Sequence, residues 1–181
     1  LLNIAKQGLL AACFQTNAGY VEYLPDYFDW LGRHDIPFNR DNYVPFYSVY
    51  SMAFGPDSAK VFQGRRLLIV NYLPEEKQQR LREAMAERGV ESVQFISIRP
   101  DKALFQDLDL SSVEGEIDVV LVGAGCGAAP MTEQLKALNA VVIDGGFVID
   151  ALAKPEARWR RAFCIPDDEF DPERVNFPIF G

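Results

Sequence analysis

The sequence has 181 residues, the usual length of one domain, and its 49% hydrophobic and 24% charged residues are typical of a globular protein. Its net charge of −8 opposes binding to nucleic-acid phosphates and to anionic membrane surfaces, so neither partner is expected. No apolar run reaches the ~18 residues of a membrane span, and no signal-peptide pattern opens the chain. These features predict a cytoplasmic protein without a transmembrane segment.

The cysteine and histidine content excludes two common kinds of site. The three cysteines, Cys13, Cys126 and Cys164, are widely spaced, and no Cys-x-x-Cys pair occurs. His34 is the only histidine. The sequence therefore predicts neither a disulfide framework nor a Cys/His zinc site, which fits a reducing compartment. His34 itself stands in a polar loop and is expected at the surface rather than as an acid or base.

The first third of the chain is rich in aromatic residues. Residues 2–12 and 24–31 are predicted to be helices, the second entered through Pro25 at its first turn. Residues 42–54 are predicted to be either helix or loop. Aromatic side chains bury large areas, which favours packing of residues 1–62 as a mainly helical segment. A substrate platform and a contact face of a homo-oligomer are the alternatives.

Strand-like and helix-like segments alternate regularly from residue 63 to residue 153. Short apolar runs are typical of strands buried on both faces, and the amphipathic stretches between them are typical of helices. The alternation predicts a single domain of the α/β class, with a Rossmann-like parallel sheet, helices on both faces and an irregular acidic tail at 154–181. The predicted strands are 66–70, 90–98, 117–122 and 140–143, and the predicted helices are 74–88, 128–138 and 147–153.

A glycine-rich loop, Gly-Ala-Gly-Cys-Gly at residues 123–127, follows the third predicted strand and leads into a helix. Glycine lets a backbone approach a ligand closely, and a helix N-terminus presents unpaired N–H groups to a phosphate. Gly123, Gly125, Cys126 and Gly127 are therefore predicted to bind a phosphate-bearing ligand, the thiol of Cys126 acting only as a small apolar filler. The alternative is a tight turn without a ligand. The loop is not a Walker A motif, and it matches a dinucleotide fingerprint only loosely, with Asp144 in the ribose position.

A second polar element, Asp144-Gly145-Gly146, follows the fourth predicted strand, and Asp150 lies just beyond it. Ligands of open parallel sheets bind beyond the carboxyl ends of the strands. Asp144 and Gly146 are therefore predicted to contact a ligand, through ribose or sugar hydroxyls or a metal-bound diphosphate. The alternative for Asp144 is an N-cap of the next helix. Asp150 is the candidate catalytic carboxylate, and its alternative role is to stabilise its own short helix.

Two stretches of the predicted sheet carry the pattern of a known enzyme family. Residues 62–70 read Phe-Gln-Gly-Arg-Arg-Leu-Leu-Ile-Val. Residues 118–125 read Asp-Val-Val-Leu-Val-Gly-Ala-Gly, and residues 140–152 contain Asp-Gly-Gly followed by Val-Ile-Asp. Together they resemble the first strand, the glycine loop and the later Asp-x-Gly element of the GT-D-type glycosyltransferases. The resemblance covers residues 63–153, about half of the chain.

This resemblance implies a function in bacterial surface polysaccharide or glycoprotein glycan synthesis. Members of the family bind a nucleoside-diphosphate sugar on a Rossmann-like sheet and transfer the sugar to a glycan or protein acceptor. A divalent ion, Mg²⁺ or Mn²⁺, would stabilise the leaving diphosphate. The family's Asp-x-Glu metal motif has no counterpart at the matching place, and Phe147 stands where a histidine often follows the Asp-x-Gly. The metal ligands are therefore unassigned, and the resemblance leaves catalytic activity open.

Two other functions are compatible with the same residues. A Rossmann methyltransferase or dehydrogenase would place S-adenosylmethionine or NAD at residues 123–127. A non-catalytic interaction domain would use the aromatic segment as its partner face. The first alternative predicts binding of adenine-containing ligands, and the second predicts no effect of any nucleotide.

Overall fold

The computed structural model describes residues 10–12, 26, 28–39, 41–45 and 48–160, together with residues 165, 169, 171 and 173. The chain divides into two compact units, residues 1–48 with 178–181, and residues 49–177. Among the described residues, no helix has the length and apolar character needed to cross a bilayer.

The first unit contains a pair of short parallel strands and a helix. Strand β1 (Leu10–Ala12) pairs with β2 (Tyr43–Pro45), and residues 28–33 are helical. Leu31 and Ile36 are buried at the centre of a small cluster. The partly buried residues packed against it are Phe28, Trp30 and Phe38. Packing of aromatic side chains in this segment is thus confirmed for the described residues.

The predicted helix at residues 2–12 is wrong at its end, because Leu10–Ala12 is a strand. Its other residues, 2–9, lie outside the described part of the chain. Residues 42–54 are also not simply helix or loop, since they contain β2 and then a helix, α1 (Ser48–Phe54). Propensity within a short window does not show strand pairing between segments that are far apart in sequence.

The second unit is built on a four-stranded parallel sheet. Its strands are β3 (Arg66–Asn71), β4 (Ser92–Ser97), β5 (Val119–Gly123) and β6 (Val141–Asp144), in the spatial order β4-β3-β5-β6. The chain adds β4 on one side of β3 and β5 on the other, so the strand order reverses between β3 and β5. The predicted parallel α/β sheet is confirmed, and ligands of such sheets bind where the order reverses.

Helices cover both faces of this sheet, as predicted. Helix α4 (Ala128–Leu135) packs on one face, where Met131 and Leu135 join Leu68 and Val120 in one buried cluster. The opposite face carries α3 (Glu75–Glu87) and α5 (Phe147–Ala153), which contact each other. Helix α2 (Ser58–Phe62) precedes β3, and a 3₁₀ helix, Pro155–Arg160, follows α5.

Local sequence explains where the long helix begins and ends. Pro74 occupies the N-cap of α3, and Glu75 and Glu76 in its first turn complement the helix dipole. Leu81 and Met85, four residues apart, are fully buried on one face. Gly89, with φ of 69°, accepts the left-handed turn that ends the helix.

A partly exposed ion pair joins the amino ends of β3 and β5. The guanidinium of Arg66 donates to both carboxylate oxygens of Asp118, at 2.8 Å from Nη2 and 3.0 Å from Nε. The backbone N–H of Arg66 donates to the same carboxylate at 2.8 Å. These bonds hold the pKa of Asp118 well below its usual range.

Candidate functional site

The strands of the parallel sheet all end at one edge, here called the carboxyl edge. Two residues of this edge are in contact where the strand order reverses. Asn71 ends β3 and lies beside Gly123, which ends β5. Asn71 is only 8% exposed, and its side-chain Nδ2 donates a hydrogen bond to the carbonyl oxygen of Gly123. This amide therefore ties the start of the glycine loop to the neighbouring strand.

Lys77, the third residue of α3, extends this network to α5. Its Nζ donates to Oδ1 of Asn71 at 2.5 Å and forms an ion pair with Oδ1 of Asp150 at 2.6 Å. The Lys77 side chain is only 17% exposed, whereas that of Asp150 is 53% exposed. A largely enclosed cation thus stands at the strand-order reversal, bonded on one side to the sheet and on the other to the candidate catalytic carboxylate.

The sequence analysis missed both Asn71 and Lys77. One signal for Asn71 was available, since it is a polar residue that directly ends an apolar strand, the same argument that selected Asp144. One signal for Lys77 was its position, because a lysine in the first turn of a helix opposes the helix dipole and needs another partner. Its contact with Asp150 crosses 73 residues and has no local signature.

The glycine loop forms a short 3₁₀ turn, Gly125–Gly127, that leads directly into α4. Gly125 adopts φ of 53°, a conformation that favours glycine, and both Gly125 and Cys126 are exposed. Within the described part of the chain, the backbone N–H groups of Gly125 and Cys126 have no hydrogen-bond acceptor. The Gly127 N–H donates to the Ala124 carbonyl at 2.9 Å. Two adjacent N–H groups at this turn are therefore available to an anion.

The other two glycines of the loop have a packing role that the sequence analysis did not assign. A Cβ at Gly127 would lie 2.5 Å from the carbonyl oxygen of Ala103. A Cβ at Gly123 would overlap Nδ2 of Asn71 and lie 2.8 Å from Cδ1 of Ile149. Close packing, against side chains at Gly123 and against backbone at Gly127, explains both glycines without a ligand, so their predicted contact with one stays a prediction.

Asp144 ends β6, the strand next to β5, and bends back onto the turn that follows it. Its Oδ1 accepts from the Gly146 N–H at 3.2 Å, and Gly146, with φ of 41°, is the N-cap of α5. The proposed N-cap role of Asp144 is therefore wrong. Asp144 is exposed, but the chain around it partly desolvates the carboxyl group and so raises its pKa, and the Gly146 hydrogen bond opposes this rise.

An open groove of about 500 Å³ adjoins the Lys77–Asp150 pair. It runs between the start of α3 and the α5 region, so it lies on the face of the sheet that these helices cover. The glycine loop is not part of its lining. The side chains that define it include Tyr72, Lys77, Arg80, Phe147, Asp150 and Lys154.

The structure thus connects some predicted site residues and leaves others apart. Gly123 and Asp150 belong to one network through Asn71 and Lys77. His34 lies in the first unit, where its ring is 4.8 Å from that of Trp30. No three His, Cys, Asp or Glu side chains of the described residues are grouped as a metal site. The positive charge of the network is the ammonium group of Lys77.

The chain matches no protein-family model, no curated protein and no solved structure. The GT-D-type resemblance therefore stays a prediction from residues 62–70, 118–125 and 140–152. The fold and the network around Lys77 are what any functional proposal can be argued from.

Proposed function

We propose that the carboxyl edge of the second unit binds a nucleoside-diphosphate sugar, and that the protein is a glycosyltransferase-like domain of bacterial surface polysaccharide or glycoprotein glycan synthesis. The observation that carries the proposal is the position of Lys77 at the strand-order reversal, bonded to Asn71 and Asp150. A fixed, partly desolvated cation at this place is suited to a phosphate group.

The diphosphate would lie between Lys77 and the glycine loop. The unpaired N–H groups of Gly125 and Cys126 donate to phosphate oxygens, and the ammonium group of Lys77 offsets their charge. Charge develops on the diphosphate as it leaves the sugar, so the same groups stabilise the transition state more than the bound donor.

Asp150 would serve as the base that accepts a proton from the acceptor hydroxyl. In the structure its carboxylate is held by Lys77. A phosphate that binds Lys77 competes with this ion pair and leaves the carboxylate available to the acceptor. The groove lined by Tyr72 and Phe147 adjoins Asp150 and has the size for a sugar ring. Asp144 would accept hydrogen bonds from ribose or sugar hydroxyls.

The divalent ion implied by the family resemblance has no ready site in the described residues. Asp150 is bound to Lys77, and no three His, Cys, Asp or Glu side chains of the described residues are grouped around it or elsewhere. Mg²⁺ or Mn²⁺ accordingly stays a prediction, and the steps proposed here use only the lysine and the backbone N–H groups.

A second candidate function is binding of NAD or S-adenosylmethionine. One observation favours it. The glycine loop follows β5, and the neighbouring strand β6 ends in an acidic residue, Asp144. Dinucleotide-binding sheets use such a residue to bind ribose hydroxyls.

A thermal-shift screen separates these functions. UDP, GDP, CDP, their sugar conjugates, NAD and S-adenosylmethionine would each be tested at several concentrations, with Mn²⁺ and with EDTA. A ligand at ten times its Kd adds about 1.4 kcal/mol of stability, a shift of a few degrees for a domain of this size. Stabilisation by one nucleotide sugar, lost in Lys77→Met, supports the proposal and identifies the donor. Stabilisation by NAD or S-adenosylmethionine alone supports the second candidate, and no shift with any ligand contradicts both and favours an interaction domain.

A further inference from the structure

A highly exposed aromatic residue lies in the segment that follows β4. Phe105 is 89% exposed, more than any other large apolar residue among those that the structure describes. Its neighbour Leu104 is 50% exposed. Most of the described phenylalanines are buried or partly buried in the two units. Burial of an aromatic ring away from water is favourable. A ligand that covers the exposed ring of Phe105 would therefore bind more tightly.

Hydrogen bonds hold this segment in place on both sides of Phe105. The Phe105 N–H donates to the Lys102 carbonyl at 2.9 Å, and the Arg99 N–H donates to Oε1 of Gln106 at 2.9 Å. Gln134 of α4 then bonds twice to the segment, from its Nε2 to the Gln106 carbonyl and from the Leu108 N–H to its Oε1. The exposed ring is therefore carried by an anchored backbone.

The same segment touches the glycine loop. The backbone of Ala103 lies so close to Gly127 that a Cβ there would meet the Ala103 carbonyl oxygen at 2.5 Å. Phe105 is two residues further along, and two residues span at most about 7 Å. The exposed ring is thus carried by the segment that packs against the glycine loop, the loop that holds the two unpaired N–H groups at Gly125 and Cys126.

We propose that Phe105 is a stacking platform for the base of a nucleoside diphosphate whose phosphates bind the glycine loop. This inference rests on the proposed function and extends it, because it assigns the base to a side chain on the α4 side of the carboxyl edge. Stacking on an aromatic ring accepts any base, since every base has a π-face. The platform therefore adds affinity for nucleotides over bare phosphates without choosing among the bases.

The test compares nucleotides with a ligand that has no base. Calorimetric titrations of the wild type and Phe105→Ala would use UDP, GDP and inorganic pyrophosphate. We expect Phe105→Ala to bind UDP and GDP about 5- to 150-fold more weakly, the range for loss of base stacking on an aromatic ring. Its affinity for pyrophosphate stays within about two-fold of the wild type. Val141→Ala is the matched control, since Val141 is also an exposed apolar residue but lies at the amino end of β6, and it leaves all three affinities unchanged.

A second variant, Phe105→Trp, keeps the ring and adds a fluorescence readout. UDP is expected to quench this tryptophan and pyrophosphate is not, with the wild type as the background from Trp30 and Trp159. Equal affinities of the wild type and Phe105→Ala for UDP and GDP overturn the platform and leave the proposed function intact. Equal weakening of all three ligands assigns Phe105 to the shape of the loop and overturns it as well. If the wild type binds none of the three, the proposed function itself fails.

Discussion

The ammonium nitrogen of Lys77 lies 2.6 Å from Oδ1 of Asp150, so that the first turn of α3 is joined to α5 beside the reversal of strand order. Lys77 also donates to Asn71, whose side chain holds the Gly123 carbonyl. The cation is therefore positioned by the sheet and its charge is balanced by a single exposed carboxylate. In the proposed function, an incoming phosphate would take the place of that carboxylate.

Replacing Lys77 by methionine is expected to weaken pyrophosphate binding at least about tenfold, because a partly desolvated charge–phosphate contact contributes 1.5 kcal/mol or more. The variant also leaves the Asn71 oxygen and the Asp150 carboxylate without their donor, so unfolding free energy falls by about 1–3 kcal/mol. Calorimetry gives the affinity and urea unfolding the stability. Lys136→Met is the control, since Lys136 forms a surface pair with Glu133 on α4, and an equal loss of affinity there would contradict the assignment.

The variant Asp150→Asn distinguishes two roles of Asp150, the counter-ion of Lys77 and the general base. The change keeps the shape of the side chain and removes its negative charge, so Lys77 is no longer paired with an anion. We expect pyrophosphate affinity to stay the same or rise a few-fold, while sugar transfer to acceptor falls by 10² or more, as for loss of a general base. Binding is measured by calorimetry and transfer by release of nucleoside diphosphate from the donor found in the screen. Loss of pyrophosphate binding in this variant would show that Asp150 belongs to the phosphate site instead.

Gly125→Ala tests the glycine loop against a matched glycine. Gly125 and Gly115 have φ of 53° and 67°, and an added Cβ meets no atom within 4 Å at either place. Each alanine variant is therefore expected to lose about 1–2 kcal/mol of stability from backbone strain alone. Gly115 precedes β5, at the amino edge of the sheet, and its variant should bind pyrophosphate normally. Gly125→Ala should bind it at least about tenfold more weakly, because the Cβ and the shifted backbone obstruct the N–H groups of the loop. Equal affinities of the two variants would remove the loop from the binding site.

The difference in unfolding free energy between Asp144→Asn and the wild type should change with pH in the direction opposite to that for most carboxylates. Desolvation by the surrounding chain raises the folded-state pKa of Asp144, although the residue is exposed, so the wild type is destabilised as pH rises through that pKa. The variant should therefore be more stable than the wild type at pH 7 and equal to it near pH 3. Urea unfolding across this range measures the difference.

Asp118→Asn is the control for the same measurement, and its effect on stability should change with pH in the opposite direction. The pKa of Asp118 is lowered by Arg66, so its contribution to stability is present above about pH 4, the value for an unfolded aspartate, and is lost as pH falls towards the folded-state value. This variant should be less stable than the wild type at pH 7 and approach it in acid. The same pH trend in both variants would contradict the raised pKa of Asp144.

Patterns within one element predicted much of the second unit. The apolar runs at 66–70 and 117–122 predicted β3 and β5 to within two residues. Such runs are read correctly because both faces of a central parallel strand are buried. The predicted helix at 128–138 is α4 followed by a 3₁₀ helix, Lys136–Leu138, whose C-cap Asn139 has φ of 51°.

Features that depend on distant contacts were not predicted. In the sequence, Lys77 looks like any other charged residue on a helix surface. Its pairing with Asp150 arises only because α5 packs beside α3. The strand at Leu10–Ala12 is visible only through its pairing with Tyr43–Pro45. The packing role of the glycines at 123 and 127 was not predicted, because their close neighbours Asn71 and Ala103 come from another strand and another loop.

A two-dimensional ¹⁵N NMR titration with inorganic pyrophosphate tests the central claim most directly, that the carboxyl edge of the sheet binds phosphate through Lys77 and the glycine loop. The account predicts saturable shifts that are largest at the amides of Gly125 and Cys126, with smaller shifts at Asn71 and Lys77, and no shift at Gly115 on the amino edge. The Lys77→Met variant should weaken the titration and keep the folded spectrum. Shifts confined to other surfaces, or none at millimolar pyrophosphate, would contradict the account.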